Sequence, residues 1–499
     1  MKRPLKGRLA FRPPALGIGN RAKTMNSLQR LTNSGSAQRP ACRRSLTFRA
    51  TALAAAVGLA GAVTPAEAQR RAPKLIRDAE IESLLRDYAA PIMKVAGIGS
   101  RGAEIIIIND RSFNAFVVSG NRMFINSGTL LTAETPNEVI GVIAHETGHL
   151  AGGHLQGLRN EAARAQSLGM IAALLGVGAM VAGGASGSNS GARAGAAIAQ
   201  AGPQIAMRTL LNYRRGQETA ADRAALTYLN RTGQSAQGMI KTFRRFADQA
   251  LFSKQYVDPY VLSHPMASER IGQLENVARK SKYWDSKDPA QLQLRHDMMR
   301  AKLSGFMESP GRVERRYPRS DKSIAADYAR AIVAYRTGGV RRAGKQIDRL
   351  ISKMPNNPYL YELKGQALLE GGKAKAAIAP LRKSVSLAPR AGLIRILLGH
   401  AQLETGNKAL LGEAIENLRT GLREEPHASV GYRHLATAYA RQGRIGDAEL
   451  ATAQGHLIDG RLETAQTYAK RAQAKLKRGS PGWLQADDIL SYKLPKSAR

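Results

Sequence analysis

"VIAHETGHLAGGH", Val142 to His154, places three histidines and one glutamate among apolar and small residues. His145 and His149 stand four apart, so on a helix their side chains stack on one face. Two imidazoles in that relation can grip one tetrahedral zinc ion. Glu146, the next residue, reaches past the metal toward its open position, where a carboxylate can take a proton from water. The helix start is written just upstream. In Thr135-Pro136-Asn137-Glu138, Thr135 is the expected N-cap, Pro136 suits the first turn and Glu138 falls at the capping-box position.

A catalytic zinc needs a third protein ligand. His154 lies five residues after His149, out of register with the metzincin pattern, whose third histidine comes six after the second. It is expected to brace a ligand or to end the helix. "QETAAD", Gln217 to Asp222, is the better source. Glu218 and Asp222 are again four apart on a predicted helix. Glu218 can ligate zinc, while Asp222 accepts the free N–H of a ligand histidine and fixes its tautomer. Farther on, "SHPMASER" (263–270) carries His264 and Arg270. The sequence leaves two roles for His264. It can donate a hydrogen bond to the oxyanion formed during acyl transfer, or it can occupy the fourth metal position and hold the site off.

The rest of the chain must position these residues. At 499 residues it is too long for one core, and two or three domains are expected. Apolar content of 43% is ordinary for folded protein, while 5% aromatics with abundant Ala and Gly favour helices packed through small residues. The net charge is +37. Residues 1–68 hold twelve Lys/Arg and one acid, Glu67, a net +11, which leaves +26 for the remainder. So basic a chain suits an anionic partner such as a membrane face or lipopolysaccharide. No helix-turn-helix, zinc-finger or RNA-binding signature is present, so nucleic acid is not an expected partner.

Residues 43–68 read as a secretory signal. Arg43, Arg44 and Arg49 precede a short apolar run, Ala50 to Val63, and Ala66-Glu67-Ala68 gives a small-x-small cleavage pattern before Gln69. Residues 1–42 form a basic extension, and Met25 is an alternative start. The single cysteine, Cys42, lies in the removed part, so the mature chain has no disulfide and no thiol chemistry.

Along the mature chain, apolar spacing predicts a helix over 76–95. "EIIIIN" (104–109) reads as a strand, and "NAFVV" and "RMFIN" flank Ser119-Gly120-Asn121 as a hairpin. Arg164 and Arg193 bracket a stretch without charge. Its length admits a membrane span. Its glycines fit equally a buried or interfacial helix followed by a flexible Gly/Ser loop. Helical pattern returns over Thr209–Leu229. Residues 305–321 have no clear period and read as a linker. Beyond them Pro355, Pro389 and Pro426 end successive helix pairs. Small residues recur at Ala331, Gly365, Gly399 and Ala436, and at Ala343, Ala377, Ala414 and Ala448. These are the close-packed positions of the tetratricopeptide (TPR) repeat. About four repeats are visible, with three extra residues in "GNKALLGEA" and a fifth, degraded pair reaching Leu476.

The H-E-x-x-H and E-x-x-x-D pair followed by H-P-x-x-x-x-R resembles the zinc metallopeptidase family of the CAAX prenyl protease and HtpX, in particular its periplasmic, TPR-bearing members. The resemblance covers residues 75–499; its peptidase motifs are specific, its TPR match generic. It implies an α+β, mostly helical chain, with a gluzincin-type metallopeptidase domain and a small sheet at 69–304 and an α-helical TPR solenoid at 322–499. It implies one zinc held by His145, His149 and Glu218, with Glu146 as general base, Asp222 behind a ligand histidine, and His264 near the metal. The expected activity is endopeptidase cleavage of misfolded or unassembled envelope proteins in the periplasm of a Gram-negative bacterium. The substrate would pair as a strand with "NAFVVS" (114–119), and the TPR solenoid would dock to an outer-membrane assembly machinery. Residues 165–192 are the candidate for peripheral membrane contact. A chaperone or scaffold with latent proteolysis and an integral membrane protease are the competing readings.

Overall fold

The computed structural model describes residues 74–99, 103–118, 121–185, 189–252, 264 and 268–493. The signal-peptide expectations, Cys42, and Ser263 and Pro265 beside His264 lie outside these residues.

Strand β1 (Leu75–Ile76) leads into helix α1 (Ala79–Val95), capped by Asp78, whose side chain accepts the Ile81 N–H. Strands β2 (Glu104–Ile108), β3 (Ala115–Val118) and β4 (Arg122–Asn126) complete a four-stranded sheet in the order β1-β2-β4-β3. β2 runs parallel to β4, and β3 and β4 form the expected antiparallel hairpin, with Val117 opposite Met123. Asn121 turns it at φ 55°, the left-handed region that asparagine tolerates. β3 is therefore an outer strand.

After the short helix α2 (Ser127–Thr132), helix α3 (Pro136–Ala151) carries the histidine pair. Thr135 accepts the Glu138 N–H as expected. Glu138 itself reaches one residue farther back, to the Glu134 N–H at 3.2 Å. Lys241 and Arg245 pair with this buried carboxylate and draw it aside. Helix α4 (His154–Ala185) and helix α5 (Asn189–Arg231) form a long antiparallel hairpin, followed by α6 (Gln237–Phe252) and α7 (Ser268–Ala278). Here the structure differs from the sequence reading. Residues from Asn189 on are helical, where a flexible Gly/Ser loop was expected, and α4 is exposed rather than buried. Alanine fills this arm, and packing against α4 offsets the cost of its glycines.

Tyr88, Leu84, Leu85 and Ile92 of α1, Ile107, Met123 and Ile125 of the sheet, and Val139, Ile143, Phe243 and Phe246 form one core that fixes α3. Burying each such side chain contributes about 1.5–3 kcal/mol.

Helix α8 (Ala290–Met307) belongs to two cores at once. Met299 and Leu303 enter the first, Met298 and Ala301 the second. Residues 305–321, read as a linker, are largely helical: α8 runs through Gly305, and α9 (Pro310–Arg316) buries Val313. A side chain at Gly305 would lie 2.9 Å from Ile332, so the end of α8 packs tightly against the first helix of the C-terminal region.

That region is a TPR-like solenoid of antiparallel pairs: α10 (Ile324–Arg336) with α11 (Val340–Lys353), α12 (Pro358–Glu370) with α13 (Ala374–Leu387), α14 (Gly392–Glu404) with α15 (Leu411–Glu424), and α16 (Ser429–Arg441) with α17 (Ile445–Ile458). The small positions sit at the helix crossings. Added Cβ atoms would lie 2.4 Å from Leu381 at Gly365 and 2.6 Å from Leu418 at Gly399. The extra residues form a 3-10 turn, Lys408–Leu410. The last pair, α18 (Leu462–Lys475) with α19 (Pro481–Ser491), extends past Leu476, because Ser480 caps a further helix whose few apolar residues give no clear period.

A buried charge cluster joins the first helix to the solenoid. Lys302 on α8 lies 2.7 Å from Asp78, 3.2 Å from Glu80 and 3.8 Å from Glu362 on α12. Tyr328 on α10 donates to Glu80 at 2.9 Å. Burial pushes the Glu362 carboxyl up to about 7, and Lys302 offsets this only in part. A carboxyl raised in the fold holds a proton that the unfolded chain gives up near pH 4.5. Its contribution is thus present below about pH 4.5 and is lost as pH rises through about 7. The melting temperature is expected to fall from pH 5 to pH 8, and Glu362→Gln to flatten that slope. Parallel slopes for the two proteins would show that Glu362 does not hold the proton.

Candidate metal centre

Helices α3 and α5, together with His264, supply the donors of the site. α3 presents His145 and His149 on one face, and both are buried. α5 crosses beside it and brings Glu218 and Asp222 from one turn apart. The crossing depends on Gly148. A Cβ there would lie 2.8 Å from the Ala221 carbonyl and 3.0 Å from its Cα, atoms of the α5 backbone that cannot step aside. Gly148→Ala is therefore expected to push α5 outward. It should cost about 1–3 kcal/mol of stability and weaken metal binding, read by chelator competition and thermal melting. Unchanged metal affinity would show that the close crossing is not what places Glu218.

The imidazole Nε2 atoms of His145 and His149 lie 3.1 Å apart. Glu218 Oε2 is 3.5 Å from the first and Oε1 is 3.4 Å from the second. Ligands at the ~2.0–2.1 Å of zinc–nitrogen and zinc–oxygen bonds sit about 3.3–3.4 Å apart on a tetrahedron, so the spacing fits one ion. His264 joins them: one donor atom from each of His145, His149, Glu218 and His264 lies within 4.8 Å of the others. All four residues are buried. The donor set, imidazoles and one carboxylate, is the kind zinc accepts.

Asp222 stands behind the ligand, its Oδ1 3.0 Å from His145 Nδ1. Arg270 braces the acids, with Nε 2.5 Å from Asp222 and an Nη 3.2 Å from Glu218. Its guanidinium also lies over the Phe243 ring, which packs edge-on against His145. His154 opens α4, and its Nδ1 contacts His149 Nδ1 at 2.9 Å, outside the four-residue cluster.

Electrostatics set the acids and the imidazoles apart. Burial alone would depress the His145 imidazole, but the Asp222 and Glu218 carboxylates carry it up to about 10. The same two carboxylates favour a divalent cation between the imidazoles. Burial would raise Glu218 and Asp222, yet the hydrogen bond each makes with His145, with His264 helping Glu218 and Arg270 helping Asp222, holds both below the usual carboxylate range. Burial pushes His264 down to about 3. Glu146 is the exception among the acids. It is fully buried, and burial raises it to about 8, eased only in part by His145. Among the described residues no well-formed hydrogen bond reaches either carboxylate oxygen; the Val117 backbone N–H of β3 faces the group loosely, and His264 Nε2 is 3.4 Å from Oε1. A buried carboxylate left in this state is costly unless it serves chemistry.

The structure brings together every residue that the sequence singled out: His145, Glu146, His149, Glu218, Asp222 and His264. Phe243 was not singled out. Nothing near it in sequence marks an aromatic as the wall of a metal site. Arg270 was legible only as part of a motif, without a partner.

Fold and site together define a metallopeptidase. Residues 76–278 match Peptidase family M48, so this segment is a metallopeptidase domain of the M48 kind. Two similar proteins are both named beta-barrel assembly-enhancing protease. The one from Escherichia coli (strain K12) is 24% identical over 431 residues, 82% of each chain. The one from Yersinia pestis is 26% identical over 384 residues, 75% of each. Among solved structures, "MamA MSR-1 C2" is matched over 99% of its length by 35% of this chain, at 23% identity and TM-score 0.29. A thermophilic TPR protein of Thermus thermophilus is matched over its whole length by 34% of this chain, at 16% identity and TM-score 0.23.

Proposed function

We propose that the chain is a zinc endopeptidase for misfolded or unassembled proteins of the periplasm of a Gram-negative bacterium, and that its TPR solenoid docks to an outer-membrane assembly machinery. The observation that supports this best is the unsatisfied Glu146 carboxylate beside the His145, His149 and Glu218 donors. The name of the relatives, beta-barrel assembly-enhancing protease, supports the envelope setting.

In this reading His145, His149 and Glu218 hold the zinc. Bound there, zinc supplies a Lewis acid that acidifies water and polarises the scissile carbonyl. Glu146, which a cation bound at the neighbouring donors would keep ionised, takes the proton of the attacking water and returns it to the leaving amine. Asp222 fixes the His145 ring, and Arg270 holds Asp222 in place. His264 would take the fourth corner at rest, the second of the two roles its sequence allowed, since its ring nitrogen lies within the donor cluster, and it would have to leave that corner before water and substrate enter. The substrate adds as a strand to β3, the outer strand that packs beside α3. Backbone pairing gives length-dependent and weakly sequence-dependent cleavage, suited to unfolded chains.

The test is cleavage of an unfolded model protein. A chelator should abolish it and zinc restore it. With zinc in excess His264→Ala should cleave faster than wild type, because the fourth position opens to water, and it should release zinc to chelator at least tenfold more readily. Chelator-resistant cleavage, or no cleavage with zinc bound stoichiometrically, would contradict the proposal; the second result would point to a chaperone.

A further inference from the structure

The hairpin of α4 and α5 is inside out for a protein in water. Its small residues face inward and its large apolar residues face outward. On α4, Ala165 and Gly176 are buried against α5, with Gly169, Ala172 and Ala179 half-buried on the same side. Leu168, Met170, Ile171, Leu174, Leu175 and Val181 are all more than half exposed. Leu174, the extreme, is 73% exposed. Only 11% of the most apolar window of this helix is buried, and the helix is long and apolar enough to cross a membrane. Close contact through small residues with large ones outward is how helices pack when the surrounding solvent is lipid. An exposed apolar face of this extent marks an interaction site.

The charges name the partner. No acid occurs between Glu161 and Glu218, while Arg164, Arg193, Arg208, Arg214 and Arg215 fall in that interval. Arg164, Arg193, Arg208 and Arg215 are exposed. The outer face of α5 also presents Gln204 and Asn212. α5 also exposes Met207 and, in part, Leu211, so one arm of the hairpin is apolar toward the outside and the other is mixed and carries most of the arginines. Such a two-sided layer fits the boundary between the acyl chains and the anionic headgroups of a bilayer.

Charge decides the pose. The uncharged part of α4, Ala165 to Ala185, rises about 30 Å, the thickness of the hydrocarbon core, so length alone admits a span. Arg193 lies in the first turns of α5, near the hairpin tip. Entering tip-first would bury that arginine in hydrocarbon, which is costly. Lying flat keeps every arginine among headgroups. We propose that the α4–α5 hairpin lies in the interface of an anionic bilayer, α4 toward the acyl chains and α5 toward the headgroups.

The two arms run straight into the metal centre. α4 begins at His154, in contact with His149, and α5 carries Glu218 and Asp222. Gln217 donates to the His154 carbonyl at 2.9 Å and ties the arms together at their base. His154 and Leu168 are about 20 Å apart along α4. Docking therefore holds the site close to the membrane surface. On the peptidase reading above, chains that emerge or stall at that surface are its substrates.

The test needs no catalysis, so its failure is distinct from failure of that reading. The full chain carries Cys42→Ser and a polarity-sensitive dye at Leu174→Cys, or at Leu484→Cys on α19 as the control. With phosphatidylglycerol vesicles the dye at 174 is expected to shift to the blue, more weakly with phosphatidylcholine or in high salt, and the dye at 484 to stay unchanged. Adding Ile171→Glu and Leu175→Glu should weaken the vesicle response at least tenfold, with zinc content and melting temperature unchanged, since both positions are exposed. An unshifted dye at 174 in the presence of vesicles overturns the proposal. So does a shift at 174 without lipid that disappears on dilution, which would assign the face to a second copy of the chain.

Discussion

Glu146→Gln is expected to keep its metal and to lose peptide hydrolysis by about 10²–10⁴-fold, the usual contribution of a positioned general base. The amide is nearly the same size and fills the same buried space, so the fold should be unchanged. It cannot accept a proton from water. The carboxylate is buried beside the donor cluster, where no well-formed hydrogen bond competes for its oxygens. Water admitted by the lost charge could not substitute for it as a base. The measurement is turnover of an unfolded protein alongside zinc content. Loss of turnover together with zinc would place Glu146 among the groups that hold the metal and not among those that move the proton.

The second large effect is far from the chemistry. Lys302→Met should destabilise the fold by about 3–5 kcal/mol, because it leaves buried carboxylates without their cation. Lys302 is 4% exposed and sits among Asp78, Glu80 and Glu362. These come from the N-cap of α1, from α1 itself and from the second solenoid pair, so the loss should be felt where peptidase and solenoid meet. The melting temperature is expected to fall by roughly 3–6 °C. Adding Asp78→Asn should recover part of the fall, because it removes the carboxylate 2.7 Å from the lost ammonium and keeps an N-cap side chain, whereas Glu362→Gln should recover little below about pH 7, where that carboxyl already holds a proton. A fall of less than about 1 °C would show that water reaches the cluster and screens it.

The metal site was legible because its parts are local. His145 with His149, and Glu218 with Asp222, are each one helical turn apart, so spacing alone puts each pair on one face. The four small positions in each row of the solenoid were legible for the same reason. What was not legible depends on contacts between distant segments. The lysine at 302 looks like any surface lysine until α1 and α12 close over it. Gly148 reads as a weak helix residue, and only the α5 backbone 2.8 Å from its missing side chain explains it. Composition misled at Asn189–Arg208, where glycine, serine and alanine suggested a loop. A neighbouring helix with an equally small face supplies the packing that a single strand of sequence cannot show. Residues 310–316 failed similarly: α9 has one buried apolar residue, Val313, too few to set a period.

The central claim is that His145, His149 and Glu218 hold one zinc ion. Anomalous diffraction at the zinc edge from crystals of the protein tests it directly. A single peak about 2.0–2.1 Å from both histidine Nε2 atoms and from a Glu218 oxygen is the predicted result. A zinc-loaded crystal with no peak there, or with its peak at another cluster, would contradict it.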